Sequence, residues 1–397
     1  MRVSTLGAFQ NGLGLMQRLQ SALDHTQRQI SSGRRILTPS DDPVASARAI
    51  GIRESIARLD QFDRNANIAT NRLAQEEVAL QSANNVMQRV RELALQANNG
   101  TQSNESRAQI AVEMDELLDQ LVQVANQKDG SGAFLFSGNL LDTQPVSRGA
   151  LGFVYNGDQG QRFIQIGEGR QVADGDSGAD VFFSIKDGNG TFRGSPVAGN
   201  TGSGTLGANS LVDPSAWVPD QYTVTFSAPN VYEVRDSSAA LVSTGPFAPG
   251  DTLSFRGIEL SIDGQPNTGD EFQIEPSGNA DVFTSVAQLV AAVRTNVSDD
   301  ASRAELTNGV NASLQNIDQA IGRILDVRTQ VGSRLAAIEG QVDNNGAQVL
   351  NYRETLAGLE DLDYAEALSQ LSMQATTLEA AQQSFVRTQS LSLFNYF

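Results

Sequence analysis

Cysteine is absent from all 397 residues, which excludes a disulfide framework and thiolate chemistry while leaving the compartment open. The single histidine, His25, cannot supply a usual zinc donor set without thiols, and no H-E-x-x-H pair exists. On its polar stretch it reads as a solvated side chain. Aromatic residues are sparse at 6% and hydrophobic residues slightly low at 40%, a balance that suits extended helices better than a thick sandwich core. Basic residues are outnumbered 28 to 46, and the net charge of −18 argues against nucleic acid and against anionic membrane. No stretch approaches ~20 apolar residues, and Gln, Asn, Arg, Asp and Gly punctuate the leucines of the first thirty. Neither a membrane span nor a cleavable signal peptide is read. Taken alone, that describes a soluble cytoplasmic chain, although export by a signal-free route would leave the same composition.

What the chain does have is one apolar rhythm at both ends. Phe9, Met16, Leu23 and Ile30 recur every seventh residue, with Leu6 and Leu13 on the neighbouring row. Tyr364, Leu371, Leu378 and Phe385 repeat the interval at the far end, flanked by Leu368 and Ala375. A seven-residue period gives a helix a narrow apolar seam that must meet another helix. The two ends therefore either find each other or find other copies.

Between them the chain changes character twice. A first helix is expected over residues 4–32, stopped at Gly33. Thr38-Pro39-Ser40-Asp41-Asp42-Pro43 cannot be helical, and Asp42-Pro43 reads as an N-cap with proline at the first helical position. A long helix follows, with Ile52, Leu59, Ala66, Leu73, Leu80, Met87 and Ala94 at strict sevens. Its second row, Phe62, Ala69, Ala83, Val90 and Ala97, is interrupted by Ser55 and Glu76, and Asn98-Asn99-Gly100 ends it. A third helix centres on Ile110, Met114, Leu117, Leu121 and Val124. Residues 140–280 then hold 21 of the 36 glycines, 9 of the 11 prolines and the only tryptophan, Trp217. Alternation in Tyr222–Phe226 and Gly257–Ile262, with turns at Asn156-Gly157, Asp187-Gly188 and Asp263-Gly264, predicts an inserted β domain. Helix returns after Asp281, where Val310, Ile317, Ile324, Val331 and Ile338 keep sevens beside Leu314, Ile321, Leu335 and Val342, continuing through Val349 and Leu356.

No catalytic set emerges. Asp41-Asp42 could be an acid pair, but capping and turn formation explain it without a substrate. Glu360, Asp361 and Asp363 read as a solvated or helix-start acidic cluster. Asp174-Gly175-Asp176-Ser177-Gly178-Ala179-Asp180 opens like a calcium loop, but position twelve is Ile185 rather than Glu, so a turn between strands is expected. The glycine-rich segments 157–160 and 199–202 have no following Lys-Ser/Thr or helix to cradle a phosphate. The inner seams read as ordinary bundle core. The terminal seams have little else to pack on and close with Leu391, Leu393, Phe394, Tyr396 and Phe397, so they read as assembly surfaces.

Several blocks resemble a known family. Ile30-Ser31-Ser32-Gly33-Arg34-Arg35-Ile36, followed by Pro39-Ser40-Asp41-Asp42-Pro43-Val44, is similar to the N-terminal signature of the flagellin superfamily, and its Asp-Asp-Pro-Val form to the hook–filament junction branch, the flagellar hook-associated protein 3 group. Arg91–Ala97, Asn99-Gly100-Thr101, Phe134-Leu135-Phe136-Ser137-Gly138, Val331-Gly332-Ser333-Arg334-Leu335 and Leu362–Ala367 continue the likeness, and Ala380–Phe385 with Leu391-Ser392-Leu393-Phe394 completes it. It covers residues 1–140 and 281–397.

The resemblance implies a structural, non-enzymatic component of the bacterial flagellum, without cofactors. It would be exported unfolded through the flagellar type III apparatus and would sit outside the cell between hook and filament. Implied partners are further copies in a ring, the other hook-associated junction protein, flagellin, and an export chaperone at the C-terminal helix, with no nucleic acid and no membrane. The expected fold is α+β and mainly helical: an elongated coiled-coil or helical bundle formed by the two flanks, with an all-β domain inserted. Residues 1–40 with 361–397 would form the assembly domain, 41–140 with 281–360 a rod, and 141–280 the outer β domain. The assembly seam would comprise Leu6, Phe9, Leu13, Met16, Leu23, Ile30, Tyr364, Leu368, Leu371, Leu378 and Phe385. A filament flagellin is the alternative, and an extracellular enzyme or binding module on the β domain a more distant one.

Overall fold

The computed structural model describes residues 5–150 and 152–390. Among these, six α-helices occupy Thr5–Ser32 (α1), Pro43–Ala97 (α2), Asn104–Ala125 (α3), Val282–Val293 (α4), Asp300–Glu360 (α5) and Tyr364–Ser390 (α6). Their starts are set by side-chain acceptors for otherwise unpaired amides. Asp42 Oδ1 takes the Ala45 amide at 2.9 Å, Asp281 Oδ1 the Thr284 amide at 2.6 Å, and Asp363 Oδ1 the Ala365 amide at 2.9 Å. The break between α4 and α5 is a departure from the expected continuous return to helix. Asn104 there bonds Asn296 Oδ1 and the Val297 amide, and Asp299 caps α5 through the Ser302 amide at 2.8 Å.

The chain divides into two compact units, Met1–Arg64 with Gly340–Phe397, and Asn65–Glu339. In the first, Leu59, Phe62 and Val349 form a small core between α2 and α5, with Ile56 and Tyr352 packed on it. In the second, the α2 rows are buried as their spacing requires: Ala66, Ala69, Leu73, Leu80, Ala83, Met87 and Val90 all have no exposed area. On α5, Val310, Ile317, Ile324 and Val331 are likewise fully buried. Glu76, which interrupts the α2 row, is not turned outward; it is 1% exposed.

Strand structure runs from Val146 to Ala280 but is not one body of sheet. Hairpins of Val146–Gly149 with Gly152–Tyr155, and of Phe163–Gly167 with Arg170–Ala173, come first. A five-residue π turn, Ala179–Phe183, follows, its Phe182 and Phe183 packing against Phe283 of α4. Beyond it, two antiparallel sheets share a core. The five-stranded one runs in the order Leu241–Pro246, Val231–Arg235, Tyr222–Ala228, Glu271–Pro276, Phe192–Pro196. The three-stranded one runs Thr252–Phe255, Ile258–Asp263, Thr205–Leu211. Alternation puts Tyr222, Val224 and Phe226 of one, and Ile258, Leu260 and Ile262 of the other, into the shared core. Gly188 and Gly264 sit at φ of 61° and 78°, the left-handed conformation that their Asp-Gly turns require.

Candidate assembly surface

The first unit holds a joint at which both polypeptide passes leave the helical state at the same level. Gly33, at φ 70°, ends α1. Arg34 and Asp361 then form an isolated antiparallel bridge, with the Arg35 amide donating to Glu360 O at 2.7 Å and the Leu362 amide to Gly33 O at 3.1 Å. Arg35 also reaches Leu359 O at 2.8 Å, and Arg53 holds both Glu360 carboxylate oxygens at 2.6 and 2.5 Å. The segment between α1 and α2 is organised by one carboxylate. Asp41 accepts the Thr38 and Leu37 amides at 2.8 and 2.9 Å, and the His25 ring at 3.1 Å. Those amides, Thr38 first, lower its pKa to about 2. The Ala45 amide, and then the Arg35 charge, hold Asp42 below the usual range as well.

From this joint α1 and α6 run together antiparallel, Phe9 meeting Phe385 with ring centroids 5.3 Å apart. The less exposed positions of the pair include residues at alternate steps of three and four. On α1 these are Gly12, Met16, Leu19, Leu23, Thr26 and Ile30; on α6 they are Ala367, Leu371, Gln374, Leu378, Ala381 and Phe385. Gly12 is required for close approach, since a Cβ there would lie 2.8 Å from Phe385 Cδ2. A two-helix pair buries only one stripe of each partner. Phe9, Leu13 and Leu15 remain 41–51% exposed, and Tyr364, Leu368, Met373 and Val386 52–65%.

The flanks also identify the lineage. Residues 3–140 match the model of the bacterial flagellin N-terminal helical region, and 314–397 that of the C-terminal helical region. Flagellar hook-associated protein 3 of Escherichia coli (strain K12) is 25% identical over 394 residues, 99% of each chain. The crystal structure of FlgL from Xanthomonas campestris superposes with TM-score 0.73 at 35% identity, over 77% of this chain and 99% of that one. Hook-associated protein 3 of Legionella pneumophila gives 0.76 at 33%, over 78% and 98%. The chain belongs to the flagellar hook-associated protein 3 family. Filament flagellins align over a smaller share of it. Members of this family are structural parts of the bacterial flagellum, associated with its hook and filament components.

In this chain, Met16, Leu23, Ile30, Leu371, Leu378 and Phe385 of the expected seam line the α1–α6 contact, Phe9 reaches it through the Phe385 ring, and Leu13, Tyr364 and Leu368 lie largely in the open. The side chain of Leu6, and Leu391, Leu393, Phe394, Tyr396 and Phe397, fall outside the described residues. The second inward row went unread because Gly12, Thr26 and Gln374 are not apolar; counting three and four alternately from Phe9 would have found it. His25 is not simply solvated, since it reaches Asp41. The 174–180 segment is more than a surface turn: Asp174 and Asp176 are 1% and 2% exposed and bound by arginines. Among the described residues no cluster of three or more His, Asp or Glu is placed to hold a metal, and no helix is long and apolar enough to cross a membrane.

Proposed function

We propose that this chain is a hook–filament junction subunit that assembles through the outward flanks of the α1–α6 pair. The observation that carries the reading is the set of open apolar side chains on the pair, Leu13, Tyr364, Leu368 and Val386. Each such side chain would gain ~1.5–3 kcal/mol on full burial, which neighbouring subunits can supply and water cannot. Ordered copies would surround the flagellar axis, with the other hook-associated junction protein on one side and flagellin on the other. Residues 1–40 with 361–397 would serve assembly, 41–140 with 281–360 would form the rod, and 141–280 would face outward. Export without a cleavable signal, with a chaperone holding the α6 region, completes the proposal. Electron microscopy of a strain lacking the gene tests it. Hooks without filaments are expected, and normal filaments on that strain would overturn the reading. Loss of hook and filament together would place the chain elsewhere in the flagellum.

A further inference from the structure

The second unit contains a cluster of charges whose arithmetic does not balance. Three arginines each take one aspartate. Arg72 Nη1 donates to Asp129 Oδ2 at 2.7 Å, Arg334 grips Asp176 through two bonds of 2.7 and 2.9 Å, and Arg162 pairs with Asp174. Glu76 is the fourth carboxyl. Its Oε1 accepts the Asp176 amide at 3.0 Å, its Oε2 is buried with no hydrogen-bond partner, and the side chain is 1% exposed. The neighbouring charges on the packed elements are already engaged: Glu77 of α2 with Arg328 of α5, and Asp180 of the π turn with Arg323. A fourth anion here would be buried beside the Asp176 carboxylate, offset only by Arg334 and by Arg72, whose Nε is itself buried without a partner, a costly condition for a carboxyl group.

We propose that Glu76 is held as a neutral carboxylic acid in the folded protein, and that its ionisation as pH rises loosens the 174–177 loop from α2 and α5. The latch joins parts of the chain far apart in sequence. The Asp176 amide is 100 residues from Glu76, and its carboxylate 158 residues from Arg334. Protonation of one side chain thereby controls whether the loop, α2 and α5 close together. Burial first, and the Asp176 charge second, push the Glu76 pKa well above the usual value, opposed by the Asp176 amide, Arg334 and Arg72. The sign follows from linkage. Below the unfolded-state pKa of ~4.3 both states carry the proton, so stability is unaffected. Above it the unfolded chain releases the proton while the folded chain keeps it, so stability falls with pH until the folded pKa is passed.

The test is urea unfolding of the full chain from pH about 5 to 9, followed through the fluorescence of Trp217, for the wild type, Glu76→Gln and Glu77→Gln. One retained proton lowers the folding equilibrium constant by up to about tenfold per pH unit across the window. Glu76→Gln is expected to remove that component, and Glu77→Gln to retain it. Parallel pH profiles for the wild type and Glu76→Gln would overturn the proposal. Infrared spectroscopy of the wild type, with glutamate carboxyls isotope-labelled, decides independently of whether the variant folds. A protonated-carboxyl band at neutral pH supports the latch, and its absence refutes it.

Discussion

Two glycines on one helix should respond to the same substitution with opposite signs. Gly14 has no atom within 4 Å of the place where a Cβ would sit, so Gly14→Ala should collect the ordinary helix-propensity gain of about 0.5–1 kcal/mol. At Gly12 the same methyl would meet Phe385 Cδ2 at 2.8 Å and Cε2 at 3.0 Å. The ring must then swing away, losing its contact with Phe9, worth about 0.5–1.5 kcal/mol. It also loses much of a half-burial worth roughly 1 kcal/mol, taken as half of the lower range for a large apolar side chain. Set against the propensity gain, Gly12→Ala should weaken the α1–α6 pair by about 1 kcal/mol. Because the pair opens locally, amide hydrogen exchange along α1 reads the change more directly than global melting. In a Phe385→Ala background, Gly12→Ala should turn stabilising, since the obstacle is gone. Equal signs at Gly12 and Gly14, or a Gly12 effect indifferent to Phe385, would refute the antiparallel register described for the two helices.

Further outcomes follow from the first unit. Asp41→Asn should raise exchange at the Leu37 and Thr38 amides, which lose a charged acceptor. Because the folded pKa of Asp41 is depressed to about 2, its contribution is present above its ordinary pKa and is lost as pH falls from there through the folded value of about 2, so acid titration of the wild type should reproduce the Asn variant. Phe62→Ala removes a ring that is 7% exposed from the small core with Leu59 and Val349 and should cost about 3–5 kcal/mol, visible as a lowered melting temperature. A cost under about 1 kcal/mol would mean that the site collapses or was never close-packed.

The helical frame was legible because its information is local. Seven-residue rows on α2 and α5, the cap at Asp42 and the return to helix after Asp281 are written within a few turns of chain, and the structure follows them. The pairing of strands was not, because Phe192–Pro196 bonds to Glu271–Pro276 about eighty residues later and nothing local to either names the other. Tertiary polar chemistry was equally hidden. Glu76 read only as an interruption of an apolar row, and Asp176 as part of a loop, since neither sequence position records that the two meet in space or that Arg334 binds Asp176. In the first unit the sevens marked the two helices that pair, α1 and α6. Which rows face inward was set by Gly12, Thr26 and Gln374, residues that an apolar count passes over.

The central claim is that the outward flank of the α1–α6 pair exists for other subunits. Leu368→Asp tests it most directly, because Leu368 is 54% exposed in the first turns of α6, where an added carboxylate also meets the favourable end of the helix dipole. Leu371 is less suitable, being half-buried in the contact with α1. The decisive measurement is filament growth in a strain whose only copy carries Leu368→Asp, with export and the melting temperature of the purified protein checked alongside. An exported protein of unchanged stability is expected, its melting within the ~0.5 kcal/mol equivalent of a surface substitution, together with bare hooks. Filaments of normal number and length would contradict it.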